Sequence, residues 1–287
     1  MNVVINAAQL RGLLRLMRPK QWVKNTFVLA PLVFVRAYLD ADAVGNALIA
    51  FALFCIASSA SYIVNDLRDI ERDRRHPTKR LSRPLAAGIV SKTAAFVLLG
   101  VLYGLLALGL LVQPNTVLVI LGYLALNLLY TYWLKDQPVL DLFAIAVGFV
   151  LRVYAGAVAL SVPLSSWMAI TTLCLALYLA AIKRRQELSN RGTDAREVLA
   201  RYSISLIDRY AEMSATGALV FYSLFVISSN QKLVVTIPLV IFGLFRYWYV
   251  IEQHNEGESP TDLVMTDIPL AATVLAWAGA CVWALWP

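Results

Sequence analysis

The chain has 287 residues, of which 60% are hydrophobic and only 15% are charged, and its net charge is +7. An ordinary soluble domain carries about 25% charged residues, so this composition excludes a typical soluble enzyme. The positive charge does not indicate a nucleic-acid partner, because membrane proteins concentrate lysine and arginine in their cytoplasmic loops.

Long apolar stretches predict the fold class. Residues 93–134, 153–182 and 268–287 contain no charged side chain, and each is long enough to cross a membrane as a helix. We therefore expect an all-α, polytopic membrane protein in which residues 1–287 form a single domain. Nine transmembrane helices are predicted, in chain order at residues 22–39, 44–64, 93–112, 116–134, 139–160, 164–182, 213–229, 233–251 and 268–286.

An amphipathic segment precedes the first predicted span. Between residues 7 and 18, leucine and methionine occupy one helical face, and Arg11, Arg15 and Arg18 occupy another. This pattern predicts a helix that lies on an anionic leaflet, with membrane lipids as its partner. Pro19 ends that helix, and the span that follows is short and contains Arg36.

The most highly charged stretch, residues 65–83, follows the second span and reads NDLRDIERDRRHPTKRLSR. Asn65, Asp69 and Asp73 are four residues apart, so they share one face of a helix, and Asp66 lies at the edge of that face. Converging carboxylates repel one another unless a cation neutralises them, and Mg²⁺ prefers such oxygen ligands. The spacing therefore predicts a magnesium site.

The basic residues of this stretch are expected close to the acids. His76 and Pro77 end the helix, because the residue before a proline is disfavoured in helical conformation. The loop that follows carries Lys79, Arg80 and Arg83, which can fold back over the site. The alternative is a cytoplasmic loop held by surface salt bridges, but acidic loop residues contribute little to topology.

The distribution of lysine and arginine predicts the orientation in the membrane. All but four of the 25 fall on one predicted face. Arg36 and Lys232 lie on the other face, and Arg152 and Arg246 lie within spans. By the positive-inside rule, the N-terminus and the loops after the second and sixth spans are cytoplasmic. We expect the chain in the inner, or plasma, membrane.

The motif NDLRDIERD resembles the N-D-x-x-D-x-x-x-D motif of the UbiA superfamily of intramembrane prenyltransferases. This resemblance implies nine helices around a central cavity and a diphosphate substrate bound through Mg²⁺ at the cytoplasmic side. It covers essentially the whole chain, since the span count and the motif position also agree.

Four further stretches resemble the branch of that superfamily that transfers phosphoribose to a decaprenyl-type phosphate. They are RPKQWVKN at 18–25, NDLRDIERDRRHPTKRLSRPLAAG at 65–88, YTYWLKDQPVLD at 130–141 and KRRQEL at 183–188. The resemblance implies phosphoribosyl diphosphate as the donor and a polyprenyl phosphate as the acceptor. The product would be a precursor of lipid-linked arabinofuranose in the cell envelope.

One departure from ordinary prenyltransferases favours this branch. Those enzymes carry a second D-x-x-x-D motif after the sixth span, whereas this chain has KRRQE at 183–187, with Glu187 as its only acid. Phosphoribosyl diphosphate carries a diphosphate at C1 and a separate phosphate at C5. Such a donor suits a site that has acidic residues on one side and basic residues on the other.

The resemblance and the charge pattern together assign roles to individual residues. Asp66, Asp69 and Asp73 are the expected catalytic residues, and they bind magnesium together with Asn65. Arg152 lies within a span, where arginine is expensive and usually faces a polar interior. The other expected substrate-binding residues are Lys20 and Lys24 for the lipid phosphate, and Lys79, Arg80, Arg83, Tyr130, Lys183, Arg184 and Glu187 for the donor.

Two other functions remain open from the sequence. The first is a prenyltransferase of the same fold that moves a prenyl group from a prenyl diphosphate to an aromatic or lipid acceptor. The second is a membrane transporter, which inverted repeats would favour, and no such repeat is clear. The sequence also leaves open whether the chain forms a homo-oligomer.

Overall fold

The structure is a computed structural model, and it describes residues 7–75, 78–191, 197–254, 263 and 266–286. Every element assigned within these ranges is helical, which confirms the predicted all-α class. The α-helices are α1 (Ala7–Met17), α2 (Ala30–Phe34), α3 (Ala41–Arg68), α4 (Ile70–Arg75), α5 (Lys79–Ser82), α6 (Lys92–Gly109), α7 (Pro114–Tyr132), α8 (Leu140–Ala159), α9 (Ser166–Arg191), α10 (Ile204–Ser229), α11 (Ile237–His254) and α12 (Ile268–Leu285). Short 3-10 helices at Pro19–Leu29, Ala37–Leu39, Leu134–Asp136, Glu197–Arg201 and Gln231–Thr236 connect them.

Eight helices of the described chain are long and apolar enough to cross a membrane, one fewer than predicted. The difference is the first predicted span, which consists of the 3-10 helix Pro19–Leu29, α2 and the 3-10 helix Ala37–Leu39. Arg18 and Arg36, which precede the first and last of these pieces, both have positive φ angles. A continuous α-helix cannot form through such positions.

The broken first segment packs tightly against the long helices. A Cβ atom at Gly156 of α8 would lie only 1.9 Å from the carbonyl oxygen of Val28, so only glycine allows this approach. Val28 is fully buried in a cluster with Phe54 of α3 and Tyr123 of α7. The segment therefore packs closely inside the helix bundle. This packing brings Arg18, which directly precedes the segment, close to the end of α3.

Polar side chains cap the N-termini of several long helices. Asp40 accepts hydrogen bonds from the backbone N–H groups of Asp42 and Ala43, and Ser91 and Ser203 cap α6 and α10 in the same way. Asp267 accepts from the N–H of Leu270 at 2.9 Å and so caps α12. Such caps satisfy N–H groups that a helix leaves unpaired at its start.

Neighbouring helices in the chain are mostly neighbours in space, with α7 against α8, α8 against α9, and α9 against α10. Because short connections join antiparallel helices, the end of α7, the start of α8 and the end of α9 meet at one end of the bundle. The end of α3 joins them there. Large apolar side chains such as Phe96 and Leu111 are exposed on the outside, where a membrane would cover them.

Helix α1 has the amphipathic character predicted for it. Gly12 and Leu16 are buried, whereas Leu10 and Leu14 are about half exposed beside the exposed Arg11 and Arg15. A Cβ at Gly12 would meet the side chains of residues 89 and 90, so the inner face of α1 is tightly packed. Its contact with an anionic leaflet stays a prediction.

Candidate active site

The expected metal-binding residues lie where α3 passes into α4. The N–H of Asp69 donates to the carbonyl oxygen of Asn65 at 3.0 Å, and the N–H of Asp73 donates to that of Asp69 at 2.8 Å. Helical hydrogen bonding thus continues across the junction, so the three side chains stay on one face, as their spacing predicts. Asp69 and Asp73 are both buried. We call Asn65, Asp66, Asp69 and Asp73 the acidic face.

Two basic side chains neutralise Asp69. Arg72 donates to Oδ2 at 2.7 Å, and the buried ammonium group of Lys135 lies 3.2 Å from Oδ1 and 3.4 Å from Oδ2. Burial lowers the pKa of Lys135 below its usual value, and the Asp69 carboxylate opposes that shift. Lys135 comes from the turn after α7, so it connects two elements that are 66 residues apart.

Asp66 is almost completely buried and is held by a different pair of cations. Arg18 forms a short ion pair with Oδ1, and Nη1 of Arg83 lies 3.3 Å from the same oxygen. The guanidinium of Arg18 also lies over the ring of Tyr62, 4.7 Å from its centroid. The predicted return of the basic loop over the acids is therefore observed at Arg83.

The fit of the acidic face to a metal depends on which metal is considered. Within the described ranges, no three carboxylate, histidine or cysteine side chains already converge as a ligand set. Mg²⁺ does not need such a cage, because it typically binds one or two carboxylates and completes its shell with water and substrate phosphates. The amide of Asn65 and the carboxylates of Asp69 and Asp73 share a face and fit that requirement.

A second charged cluster lies at the end of α9. Arg184 is fully buried, and its Nε donates to Oδ2 of Asp141 at 2.8 Å. Its Nη1 donates to Glu187, and its Nη2 donates to the hydroxyl of Tyr130 at 3.2 Å. All three nitrogen atoms of the guanidinium are therefore engaged within the protein.

Tyr202, which follows the 3-10 helix Glu197–Arg201, completes this cluster. Its hydroxyl donates to Oδ1 of Asp141 at 2.8 Å and accepts the backbone N–H of Val139 at 2.6 Å. Burial raises the pKa of Tyr202 above its usual value, and Asp141 raises it further, so the hydroxyl keeps its proton. We call Tyr130, Asp141, Arg184, Glu187 and Tyr202 the Arg184 network.

The last turn of α7 connects the two clusters. Tyr130 contacts Arg184, and Lys135, five residues later, contacts Asp69. The acidic face and the Arg184 network therefore lie at the same end of the bundle, as expected for two loops on one side of a membrane. Chemically, this end offers oxygen ligands for a cation and exchangeable cations for phosphate groups.

Arg152 lies far from this end, within α8. It is buried and donates to Asn25 at 2.9 Å, to the carbonyl oxygen of Gly148 at 2.9 Å and to the hydroxyl of Tyr123 at 3.0 Å. Three aromatic rings surround its guanidinium. It faces a polar interior, as expected, and through Asn25 it holds the broken first segment against α8.

The remaining expected residues are more dispersed. Lys20 and Arg80 are exposed, and Lys24 and Lys183 are partly buried. The side chain of Lys79, like the whole of His76 and Pro77, lies outside the described residues. None of the contacts described above brings Lys20 or Lys24 to the acidic face, so their role stays a prediction.

Sequence reasoning gave no place in the site to four residues at its centre: Arg18, which was expected on the polar face of the interfacial helix, and Lys135, Asp141 and Tyr202. A signal was present for two of them. Lys135 is the only lysine or arginine in the loop after the fourth predicted span, and Asp141 is the only acid within the fifth. A lone charge at such a place usually has a partner.

Comparisons with known proteins identify the family and the fold. The model of the UbiA prenyltransferase family matches residues 26–266. The chain is 36% identical to the decaprenyl-phosphate phosphoribosyltransferase of Mycolicibacterium smegmatis, over 93% of this chain and 90% of that protein. It is 34% identical to the protein of the same name from Corynebacterium glutamicum, over 96% of this chain and 87% of that protein. Among solved structures, a UbiA homologue from Archaeoglobus fulgidus bound to GPP and Mg²⁺ superposes with a TM-score of 0.72 and 19% identity, covering 96% of this chain and 99% of that one.

Proposed function

This chain belongs to the UbiA prenyltransferase family, and we propose that it transfers a 5-phosphoribosyl group from phosphoribosyl diphosphate to a decaprenyl-type polyprenyl phosphate, releasing diphosphate. The observation that carries this proposal is the identity of 36% over 93% of the chain to a phosphoribosyltransferase with that acceptor. The sequence KRRQE at 183–187, in place of a second aspartate motif, supports a donor other than a prenyl diphosphate. The lipid product would serve the synthesis of arabinofuranose-containing polymers of the cell envelope.

The acidic face would bind the diphosphate of the donor through Mg²⁺. Asn65, Asp69 and Asp73 are the ligands that the shared helical face favours, and a fold relative is described as bound to Mg²⁺. When bound, the ion would offset the negative charge of the diphosphate leaving group. Lys135 and Arg72, which lie on Asp69, are placed to contact the same diphosphate.

The reaction needs little proton transfer. The bond between C1 and the diphosphate oxygen breaks, and diphosphate leaves with the electron pair. The ribosyl carbon develops oxocarbenium character, as in glycoside hydrolysis, and an oxygen of the lipid phosphate forms the new bond to C1. Because that phosphate is already anionic, the protein contributes mainly orientation and charge stabilisation.

The Arg184 network would shape the other side of the donor site. Arg184 is engaged by Asp141, Glu187 and Tyr130, so we assign it the role of holding Tyr130 and Glu187 in place. Those two side chains, with Lys183, remain our candidates for contact with the donor. Lys20, Lys24 and Arg80, with the lysine at position 79, remain candidates for the lipid phosphate or the donor phosphates.

The location of the site fits a lipid acceptor. The chain is a multi-pass membrane protein with eight long apolar helices in its described part, and the acidic face lies at the end of α3, where a membrane-embedded lipid presents its headgroup. We propose that this end faces the cytoplasm of the plasma membrane, where a soluble donor such as phosphoribosyl diphosphate is available.

Membranes that contain the protein test this function directly. Incubation with radiolabelled phosphoribosyl diphosphate, decaprenyl phosphate and Mg²⁺ should give a labelled lipid, and chelation of the metal should abolish it. Membranes that contain Asp69→Asn at matched protein level are the control. Failure to label the lipid, together with prenyl transfer from a prenyl diphosphate to an aromatic acceptor, would establish the alternative function.

A further inference from the structure

Asp66 differs from the other acids of its stretch in what surrounds it. Asp66 does not belong to the series of Asn65, Asp69 and Asp73. It directly follows Asn65, so it lies about 100° further around the helix. Two arginines from distant parts of the chain, Arg18 and Arg83, converge on its carboxylate. The cluster therefore carries two positive charges and one negative charge, and it retains a net positive charge.

The guanidinium groups of this cluster still have unused donors. Arg83 approaches Asp66 through Nη1 alone, at 3.3 and 3.5 Å, and an arginine has five N–H donors in all. Nε of Arg18 is buried and has no hydrogen-bond acceptor among the residues that the structure describes. A buried N–H without an acceptor is costly, so an anionic group that reached these guanidinium groups would be bound favourably.

The position of Arg18 is fixed by the backbone. Its φ and ψ angles of 54° and 59° are in the left-handed region, directly before Pro19. Only a few per cent of residues other than glycine adopt such angles, and the ring of Tyr62 supports the guanidinium from one side. Arg18 is therefore held in place before any ligand arrives, which lowers the entropy cost of binding.

We infer that Asp66 is a positioning residue, not a metal ligand, and that Arg18 and Arg83 form a subsite for a phosphate monoester. Paired guanidinium groups match the geometry and charge of phosphate oxygens. This inference rests on the proposed function, whose two substrates each carry such a group: the 5-phosphate of the donor and the phosphate of the lipid. The chemistry is the same for both, so experiment must distinguish them.

The first test separates Asp66 from the metal ligands. Mn²⁺ binding to the purified protein, measured by electron paramagnetic resonance with inorganic diphosphate present, reports the metal site without turnover. Asp66→Asn should bind Mn²⁺ within about twofold of the wild type, whereas Asp69→Asn should lose roughly 10- to 100-fold in affinity. An equal loss in both variants would show that Asp66 is a metal ligand and overturn the assignment.

The second test identifies the phosphate. Arg18→Gln and Arg83→Gln should each raise the KM of one substrate by about 10- to 100-fold, the range expected for the loss of a charged hydrogen bond. An effect on phosphoribosyl diphosphate alone assigns the subsite to the 5-phosphate, and an effect on farnesyl phosphate, used as a short acceptor, assigns it to the lipid. Arg15→Gln, an exposed arginine of α1, removes the same charge nearby and should leave both KM values unchanged.

Each outcome decides between the two proposals. If the wild type is active and both arginine variants keep wild-type KM values, the subsite is refuted while the proposed function stands. If the wild type makes no product from phosphoribosyl diphosphate, the proposed function fails. The subsite can then still be tested by thermal stability. Ribose 5-phosphate or farnesyl phosphate should raise the melting temperature of the wild type, and this rise should be lost in Arg83→Gln. Arg83 is partly exposed, so that variant should fold even if Arg18→Gln does not.

Discussion

The acidic face and the Arg184 network are both made of ion pairs, but they differ in their exposure to solvent. Three of the four cations described on the acidic face are partly accessible, since the side chains of Arg72, Arg83 and Arg18 are 54%, 27% and 20% exposed, and the fourth, Lys135, is 7% exposed. In the Arg184 network, the side chains of Arg184 and Asp141 are 1% and 0% exposed. Partly exposed pairs are weak and exchange readily, whereas a buried pair cannot lose one partner without a large penalty.

This difference separates two roles for charge at one end of the bundle. On the acidic face, the basic side chains neutralise carboxylates that would otherwise repel, and they can transfer to phosphate groups when a metal and a substrate bind. In the Arg184 network, the charges satisfy one another and hold α7, α8, α9 and the segment before α10 together. We therefore propose that the charges of the first region serve binding, and that the pair of Arg184 and Asp141 in the second serves architecture.

The largest effect is expected from Asp141→Asn, which leaves Arg184 buried without one of its two carboxylate partners. Breaking one side of a buried pair costs about 3–5 kcal/mol, so the melting temperature in detergent should fall sharply. The double variant Asp141→Leu with Arg184→Met should recover much of this loss, because an apolar replacement removes both charges. A double variant as unstable as the single one would contradict the architectural role.

Asp69→Asn should affect activity more than stability. Transfer activity should fall about 100-fold or more, because a metal ligand at the leaving group is worth several kcal/mol. The melting temperature should also fall, because Lys135 is buried beside Asp69, but by less than in Asp141→Asn, because Arg72, the other partner of Asp69, is 54% exposed. Glu71→Gln is the matched control, because that carboxylate is exposed and its ion-pair partner among the described residues is Arg74, at 3.0 Å. Equal activities of the Asp69→Asn and Glu71→Gln variants would show that the acidic face takes no part in catalysis.

Lys135→Gln tests whether the cations of the acidic face exchange. If Lys135 moves to the diphosphate when substrate binds, the KM for phosphoribosyl diphosphate should rise about tenfold or more, the value of a charged hydrogen bond. The KM for the lipid acceptor should stay constant, and Lys135→Arg should restore part of the donor affinity. A lower melting temperature with an unchanged donor KM would instead place Lys135 among the architectural charges.

Tyr202→Phe should have the smallest effect and should concern stability alone. The variant removes one donor from Asp141 and one acceptor from the N–H of Val139, which costs about 1–2 kcal/mol. Tyr210→Phe, in the helix that follows, removes a hydroxyl for which the structure gives no hydrogen bond and serves as the control. A change in the KM for the donor without a change in melting temperature would show that Tyr202 acts in donor binding and not in stability.

The features that sequence reasoning predicted are those with local causes. Apolar stretches predicted nine spans, of which eight are long helices and the first is broken, and the spacing of Asn65, Asp69 and Asp73 predicted a shared face. The resemblance to the UbiA superfamily, carried by residues 65–73, is confirmed by the match to that family. The assignment of individual residues to metal or substrate remains a prediction that the experiments above address.

The sequence by itself determined that the chain crosses a membrane as helices, because hydropathy and helical period depend only on nearby residues. Only the tertiary structure decided which charges neutralise one another. Arg18 and Asp66 are 48 residues apart, Lys135 and Asp69 are 66 apart, and Arg184 and Asp141 are 43 apart. Pairing over such distances depends on which helix ends meet when the bundle packs. For this reason Arg184, expected from the sequence to be a free basic group for a phosphate, is instead buried against two acids.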